Sequence, residues 1–352
     1  MPLQGKCPAK AVILLLTALF LMFHVLSADS ADAAEYRAMY LKEQTFSYRT
    51  FSTDYGYAVA VLGKGERVSV STKEYIGCAD GKTQRYRKYM HYGMTTYIPS
   101  ECLTTQKPKY SYRVRTAFHT LQLKEGAKLY FTPAVSKANI VCEESEVCTI
   151  GETNYWYKVF YRGNVCFIRK DSSDILKIQG TDDSNITVSK RISSGRANIL
   201  NRALYYYSFL PASVRDELAA DNCNIVITNY LGTQYEKKGS SGYASVNGDE
   251  YTIYIKEKPK DSKKTLYFLE GSILHEIGHI LEFDLLFLNE RFYRNRMEQC
   301  FLEVNLLGLD SYYRKNYREY IAETFSLYIL NPDKLHSEAP ETYRYFTELY
   351  EN

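Results

Sequence analysis

The stretch Leu274-His275-Glu276-Ile277-Gly278-His279 constrains this chain more than any other. It is an H-E-x-x-H motif inside an apolar, helix-like run from Phe268 to Phe283. On a helix, residues four apart share a face, so the imidazoles of His275 and His279 can reach one metal ion. Glu276 follows the first of them, where a carboxylate can activate a water held at that metal. Gly278 is small enough to let a neighbouring segment come close. The expectation is a helical centre for one Zn2+ ion with hydrolytic chemistry, completed by the rest of the chain.

Two imidazoles do not complete such a centre. A catalytic zinc takes three protein ligands and keeps a further position for water or substrate. The form H-E-x-x-H-x-x-G-x-x-H is excluded, because Glu282 stands where Gly is needed and Leu285 where the third His would be. A carboxylate from a later helix is then the natural third ligand, and the candidates are Glu298, Glu303, Glu319 and Glu323. The surroundings of Glu298 and Glu303 resemble a charged surface face. Glu319 and Glu323 are one turn apart on a second strong helical pattern, Tyr317 to Leu330, which stops at Asn331-Pro332. Apolar and aromatic residues surround them in that pattern, and a buried carboxylate must be paired or bind a metal. Surface pairing with Arg or Lys is the competing reading; the H-E-x-x-H motif favours a ligand.

The first half of the chain has a different texture. Short β-type runs, such as Tyr57 to Leu62 and Arg67 to Ser71, are separated by turns such as Gly63-Lys64-Gly65-Glu66. Tyr155 to Ile168 repeats Arg85 to Ile98 at a constant offset of 70, with Gly163 on Gly93, Phe167 on Tyr97 and Ile168 on Ile98. The shape of the repeat, an aromatic-rich strand, an x-Gly turn and an aromatic-Ile strand, resembles bacterial SH3-like domains. That resemblance implies two small β-barrels, which in such proteins hold enzymes at cell walls or bind peptides. Gln179 to Asn185 is polar and turn-rich and reads as a boundary. Beyond it the pattern becomes α+β: a helix from Asn198 to Phe209, another from Pro211 to Ala219 and a buried strand over 224–228. A mobile loop is expected at Gly239 to Gly242. An alternating strand from Glu250 to Ile255 is expected to form a cleft edge.

Residues 1–33 read as a secretory signal, with Lys6 and Lys10, an apolar core from Ala11 to Ser27, and Ala31-Asp32-Ala33 as a cleavage site. Removing it takes away two Lys and two Asp, so the formal net charge stays at +3, too mild to argue for nucleic acid. Seven cysteines then remain and are disulfide candidates in an exported chain, Cys78–Cys102 and Cys142–Cys148 (or Cys142–Cys166) among them. The 34 tyrosines suit surfaces that are half buried and half wet.

The block Asp310-Ser311-Tyr312-Tyr313-Arg314-Lys315-Asn316-Tyr317-Arg318-Glu319-Tyr320-Ile321-Ala322-Glu323-Thr324-Phe325 resembles the corresponding block of the anthrax lethal factor protease family, which includes secreted proline–proline endopeptidases. The family's pattern is H-E-x-x-H followed at a distance by a Tyr, six intervening residues and E-[FY]-x-A-E-x-F. Here Glu319 lies 40 residues after His279, and Tyr312 seven before Glu319. Ala339 to Tyr343 also resembles the family's C-terminal stretch, so the resemblance covers about residues 190–352. It implies that Glu319 is the third zinc ligand. Tyr312 is implied as the phenol that stabilises the oxyanion or protonates the leaving amine, and Glu323 as the acid that orients a ligand histidine.

The expected chain is therefore multidomain: two small all-β SH3-like barrels followed by an α+β zincin-like metalloprotease domain. The expected divisions are a signal peptide at 1–33, β-modules at 40–108 and 109–180, and a lethal factor-like peptidase domain at 186–352. The expected function is a secreted zinc-dependent metalloendopeptidase acting on protein or peptide substrates, with the cell wall a candidate partner of the β-modules. The alternative is a cell-wall or surface binding protein whose protease domain is vestigial. The intact set His275, Glu276, His279, Tyr312 and Glu319 argues against decay.

Overall fold

Two hairpin turns set the plan of the N-terminal half. Tyr92-Gly93 and Arg162-Gly163 have φ values of 43° and 76°, and 48° and 74°. Paired positive φ is the mark of the type I′ turn, whose twist matches that of the flanking strands. Glycine adopts that conformation without steric cost, which is why both repeats carry x-Gly there. The computed structural model describes residues 35–351 apart from 80–81, 137, 182–184, 239, 248–249 and 258–268. The expected signal segment, Phe268 at the head of the apolar run, and part of the expected boundary and loop lie outside the described residues.

The first turn joins strands of a sheet made from β1 (Tyr36–Leu41), β2 (Thr45–Tyr48), β3 (Ala58–Leu62), β4 (Arg67–Ala79), β5 (Lys82–His91), β6 (Met94–Pro99) and β7 (Leu103–Thr104). The second belongs to β8 (His119–Leu123), β9 (Lys128–Tyr130), β10 (Asn139–Val141), β11 (Glu146–Glu152), β12 (Trp156–Tyr161), β13 (Asn164–Arg169) and β14 (Ile175–Gly180). Both sheets are antiparallel, in the orders β3-β2-β6-β5-β4-β1-β7 and β10-β9-β13-β12-β11-β8-β14. Counted from the first strand of each, the two orders are identical. The offset of 70 is thus a repeat of topology as well as of sequence.

The C-terminal half contains β15 (Ile186–Val188), α1 (Arg196–Tyr207), α2 (Ala212–Ala220), β16 (Asn224–Thr228), α3 (Thr233–Lys238), β17 (Gly242–Asn247), β18 (Glu250–Lys256), α4 (Leu269–Phe301), α5 (Tyr317–Leu330), α6 (Pro332–Glu338) and α7 (Pro340–Tyr350). Its sheet runs β15-β16-β18-β17, parallel except for the last pair. The strand expected at the cleft edge, β18, is therefore internal, and the edge is β17. Alternation reports only that one face is buried, here through Ile253 and Ile255, both fully buried. It does not tell which strand lies alongside. Helix α4 is interrupted at Asn289, whose φ and ψ of −158° and 84° are not helical.

The halves share one core. Phe46 of β2 meets Phe160 of β12 at 6.4 Å between ring centroids, and Phe160 meets Phe209 at 4.5 Å. Strand β3 ends its sheet, so its outer backbone groups need partners from elsewhere. The Tyr205 hydroxyl donates to Val61 O and accepts from Val61 N–H, each at 3.1 Å, and the Tyr206 hydroxyl donates to Ala58 O at 2.7 Å. Consecutive tyrosines on α1 thereby close the edge of the first sheet. Each such bond contributes about 1 kcal/mol net. The seven described cysteines are free thiols, six of them buried and Cys78 exposed. The expected disulfide pairs are not formed.

Candidate metal centre and cleft

Helices α4 and α5 carry the site and pack closely because residue 278 is glycine: a Cβ there would lie 2.7 Å from Ala322 Cα and 3.0 Å from Ala322 O. Helix α5 begins at a cap that fixes Glu319. The Asn316 side chain accepts from the N–H groups of Arg318 and Glu319, at 3.0 and 3.1 Å. Glu319 thus stands in the first turn, facing the two histidines.

The expected ligands converge. Glu319 Oε2 lies 3.4 Å from His275 Nε2 and 3.7 Å from His279 Nε2. One donor atom from each of His275, His279 and Glu319 falls within 4.8 Å of the others. Glu319 Oε2 is buried and has no hydrogen-bond partner. The set of two imidazoles and one carboxylate fits a zinc ion, and an ion between them would satisfy that oxygen. Burial alone would push the His275 imidazole down, but the carboxylates of Glu319 and Glu323 beside it outweigh that and raise its pKa to about 10. Burial likewise favours the neutral form of Glu319, yet the two imidazoles hold its carboxyl below the usual range. The site stabilises positive charge between these three side chains, and metal competes with protons for such atoms.

Each imidazole has a carboxylate behind it. Glu323 Oε2 lies 3.3 Å from His275 Nδ1, as the sequence leads one to expect. Glu282 Oε2 lies 3.5 Å from His279 Nδ1, and Glu282 Oε1 lies 3.1 Å from Arg318 Nε. Carboxylates on Nδ1 fix the tautomer that leaves Nε2 free to ligate. Sequence reasoning used Glu282 only to exclude another motif. The signal available was its position three residues after His279, one helical turn away.

Glu276 is buried and lies against strand β17. The Ala244 N–H bonds its carboxylate. A Cβ at Gly242 would meet Glu276 Oε1 at 2.7 Å. Burial raises the Glu276 carboxyl, against the pull of the two histidines. In the sequence, Gly242 is only the end of a loop expected to form one wall of the substrate site, and nothing singles out Ala244. Tyr312 is half exposed and its hydroxyl donates to Glu319 Oε1 at 3.0 Å. Its neighbour Tyr313 is buried, with its ring 5.6 Å from that of His275. The other two candidates, expected on a charged surface face, lie elsewhere, and Glu303 is buried rather than on the surface. Glu298 is exposed, and Glu303 accepts from the N–H groups of Glu341 and Thr342 at the start of α7, at 3.0 and 2.9 Å.

Residues 230–349, about a third of the chain, match the family model described as "Anthrax toxin lethal factor, N- and C-terminal domain". The match covers β17, β18, both metal-site helices and α7, and starts later than the resemblance seen in the sequence. No curated protein matches the chain. Among solved structures, the PRO-PRO endopeptidase (PPEP-2) from Paenibacillus alvei is 17% identical, with a TM-score of 0.35, covering 48% of this chain and 98% of that one. A likeness that weak carries no argument about this chain.

Proposed function

We propose that this chain is a secreted, zinc-dependent metalloendopeptidase of the anthrax lethal factor kind. The observation that carries the proposal is the convergence of His275, His279 and the unpartnered Glu319 Oε2, beside a buried Glu276, within the matched region. His275, His279 and Glu319 would hold one zinc ion. Zinc so bound supplies a Lewis acid that makes water more nucleophilic and polarises the scissile carbonyl. Glu276, held by the Ala244 N–H, takes a proton from the attacking water and delivers it to the leaving nitrogen. Tyr312, whose phenol stays protonated because burial and Glu319 raise its pKa, donates to the developing oxyanion. Glu323 and Glu282 keep the two imidazoles oriented. The two N-terminal sheets, with one shared strand order, are read as SH3-like modules at 40–108 and 109–180, with 186–352 as the peptidase domain. The cell wall remains their candidate partner.

The test is cleavage of a peptide library by the full chain, with and without a chelator, and by Glu276→Gln. Cleavage that the chelator stops and that Glu276→Gln lacks while still holding zinc supports the reading. Undiminished cleavage by Glu276→Gln refutes the assigned base.

A further inference from the structure

The proposed mechanism uses none of the groups that meet where the second sheet adjoins the C-terminal helices. A cavity of about 560 Å3 lies there. Its wall is built from the β10–β11 connection, the β12–β13 turn, the α1–α2 connection, the end of α5, the start of α6 and the end of α7. Tyr328 on that wall lies nine residues after Glu319 on α5, roughly 13 Å along the helix, so the cavity is separate from the metal centre.

The lining is of two kinds. One part is apolar and aromatic: Phe209, Leu210, Tyr328, Tyr343 and Tyr350. The other carries five carboxylates, Glu143, Glu144, Asp216, Asp333 and Glu351, against one cation, Arg162. Arg162 is already engaged, pairing with Glu143 Oε2 and Glu351 Oε2, both at 2.6 Å, and the Tyr328 hydroxyl donates to Glu351 Oε1 at 2.5 Å. That leaves Glu144, Asp216 and Asp333, which form no ion pair among the described residues. Asp216 and Asp333 are exposed, and Glu144 is partly buried.

Glu144 Oε2 accepts from the Ala212 N–H at 2.9 Å. Its Oε1 accepts no hydrogen bond among the described residues and is open to solvent. Burial pushes the Glu144 carboxyl up, against the Ala212 N–H and the charges of Arg215 and Arg162. Arg215 is itself held by Glu146 at 3.0 Å. The positive charge in place therefore does not offset the burial of this carboxylate, and a cation in the cavity would.

The kind of cation follows from the geometry. These carboxylates do not converge on a metal ion: among the described residues, only His275, His279 and Glu319 bring three ligand atoms within 4.8 Å of one another. A guanidinium is a planar fork that favours two carboxylate oxygens, and Glu144 has one left. An ammonium is a compact point charge that one oxygen can hold, and tyrosine faces attract it as well. The aromatic part of the wall then suits an apolar stem, in a volume within the range of small-molecule sites.

We propose that this cavity binds a primary ammonium on an apolar stem, free or as the lysine side chain of a peptide, with an N–H on Glu144 Oε1 and the stem against Tyr343 and Tyr350. Such a ligand touches both the second sheet and the C-terminal helices, at the junction that Arg162 already bridges to Glu351.

The test is isothermal titration of the full chain at constant ionic strength with n-hexylammonium chloride and with Nα-acetyl-lysine N-methylamide as a peptide mimic; n-hexanol and sodium chloride are the controls. At least one ammonium should bind saturably, and neither control should; which ammonium binds identifies the source. Glu144→Gln keeps an acceptor for the Ala212 N–H and removes the charge, and should weaken binding about tenfold or more, the scale of one charge-assisted hydrogen bond. If Glu144→Gln does not fold, the double variant Asp216→Asn with Asp333→Asn takes its place, since both positions are exposed. It should weaken binding roughly threefold to tenfold, the scale of exposed charge pairs. No binding by either ammonium, equal binding of hexanol, or undiminished affinity in Glu144→Gln (or in the double variant that replaces it) overturns the proposal. None of these outcomes depends on the metal centre.

Discussion

Replacing Gly242 by alanine tests how the proposed general base is held. The new Cβ would lie 2.7 Å from Glu276 Oε1, 3.1 Å from Glu276 Cγ and 3.0 Å from Tyr254 O. Real Cβ atoms essentially never approach within 3.0 Å of a heavy atom, so something must move. Tyr254 O belongs to the strand paired with β17, whereas the end of Glu276 is a flexible side chain, so Glu276 yields. Relief requires a displacement of about 0.5–1 Å, and misplacing a reacting group by ~1 Å costs up to about 10²-fold in rate. The expected fall in kcat/KM is therefore about 10- to 100-fold, or roughly 1.4–2.7 kcal/mol of transition-state stabilisation. The assay is cleavage of a fluorogenic peptide by full-length Gly242→Ala, with zinc content and thermal midpoint measured on the same preparation. Zinc should be retained, because the three ligands lie on α4 and α5. Gly180→Ala, where an added Cβ meets nothing within 4 Å, serves as control. Undiminished kcat/KM in Gly242→Ala would refute the claim that β17 positions Glu276.

Glu282→Gln should weaken zinc binding about 10- to 100-fold, the usual cost of losing a carboxylate behind a ligand histidine; competition with a chromogenic chelator measures it, and unchanged affinity removes Glu282 from the site. A second prediction concerns pH and lies away from the metal. Burial, together with the hydrogen bond to Asp221, pushes the Asp284 carboxyl up to about 7. A carboxyl raised in the folded state contributes stability below its unfolded pKa of about 4 and loses it as pH climbs toward 7. Asp284→Asn should therefore raise the unfolding midpoint at pH 8 and lose that advantage at pH 5; an equal effect at both pH values contradicts the assignment.

The candidate site was legible in part because spacing is a local signal, while the choice of Glu319 over Glu323 came only from the family resemblance. Spacing of four on a helix brings His275 onto the same face as His279, and likewise Glu319 with Glu323. The stop at Asn331-Pro332 marked the end of α5 at Leu330, where the helix ends. The hairpin glycines were legible for the same reason, since two residues decide a type I′ turn. What escaped depends on partners far apart in sequence. Nothing around Gly242 announces that Glu276 will lie beneath it, and β18 looks the same from sequence whether it is internal or at an edge. The abundance of tyrosine signalled interfaces in general. It did not reveal that Tyr205 and Tyr206 would close the open edge of a sheet more than 140 residues earlier. The cysteines misled because export predicts disulfides, while burial in apolar surroundings accounts for six of the seven thiols equally well.

The central claim is that His275, His279 and Glu319 hold one metal ion. Metal analysis of the purified chain beside Glu319→Ala and Glu303→Ala tests it most directly. The account predicts one zinc per chain in the unmodified protein and in Glu303→Ala, whose lost carboxylate only caps α7, and none in Glu319→Ala. A Glu319→Ala chain that still carries one zinc, or a Glu303→Ala chain that folds without it, would contradict the account.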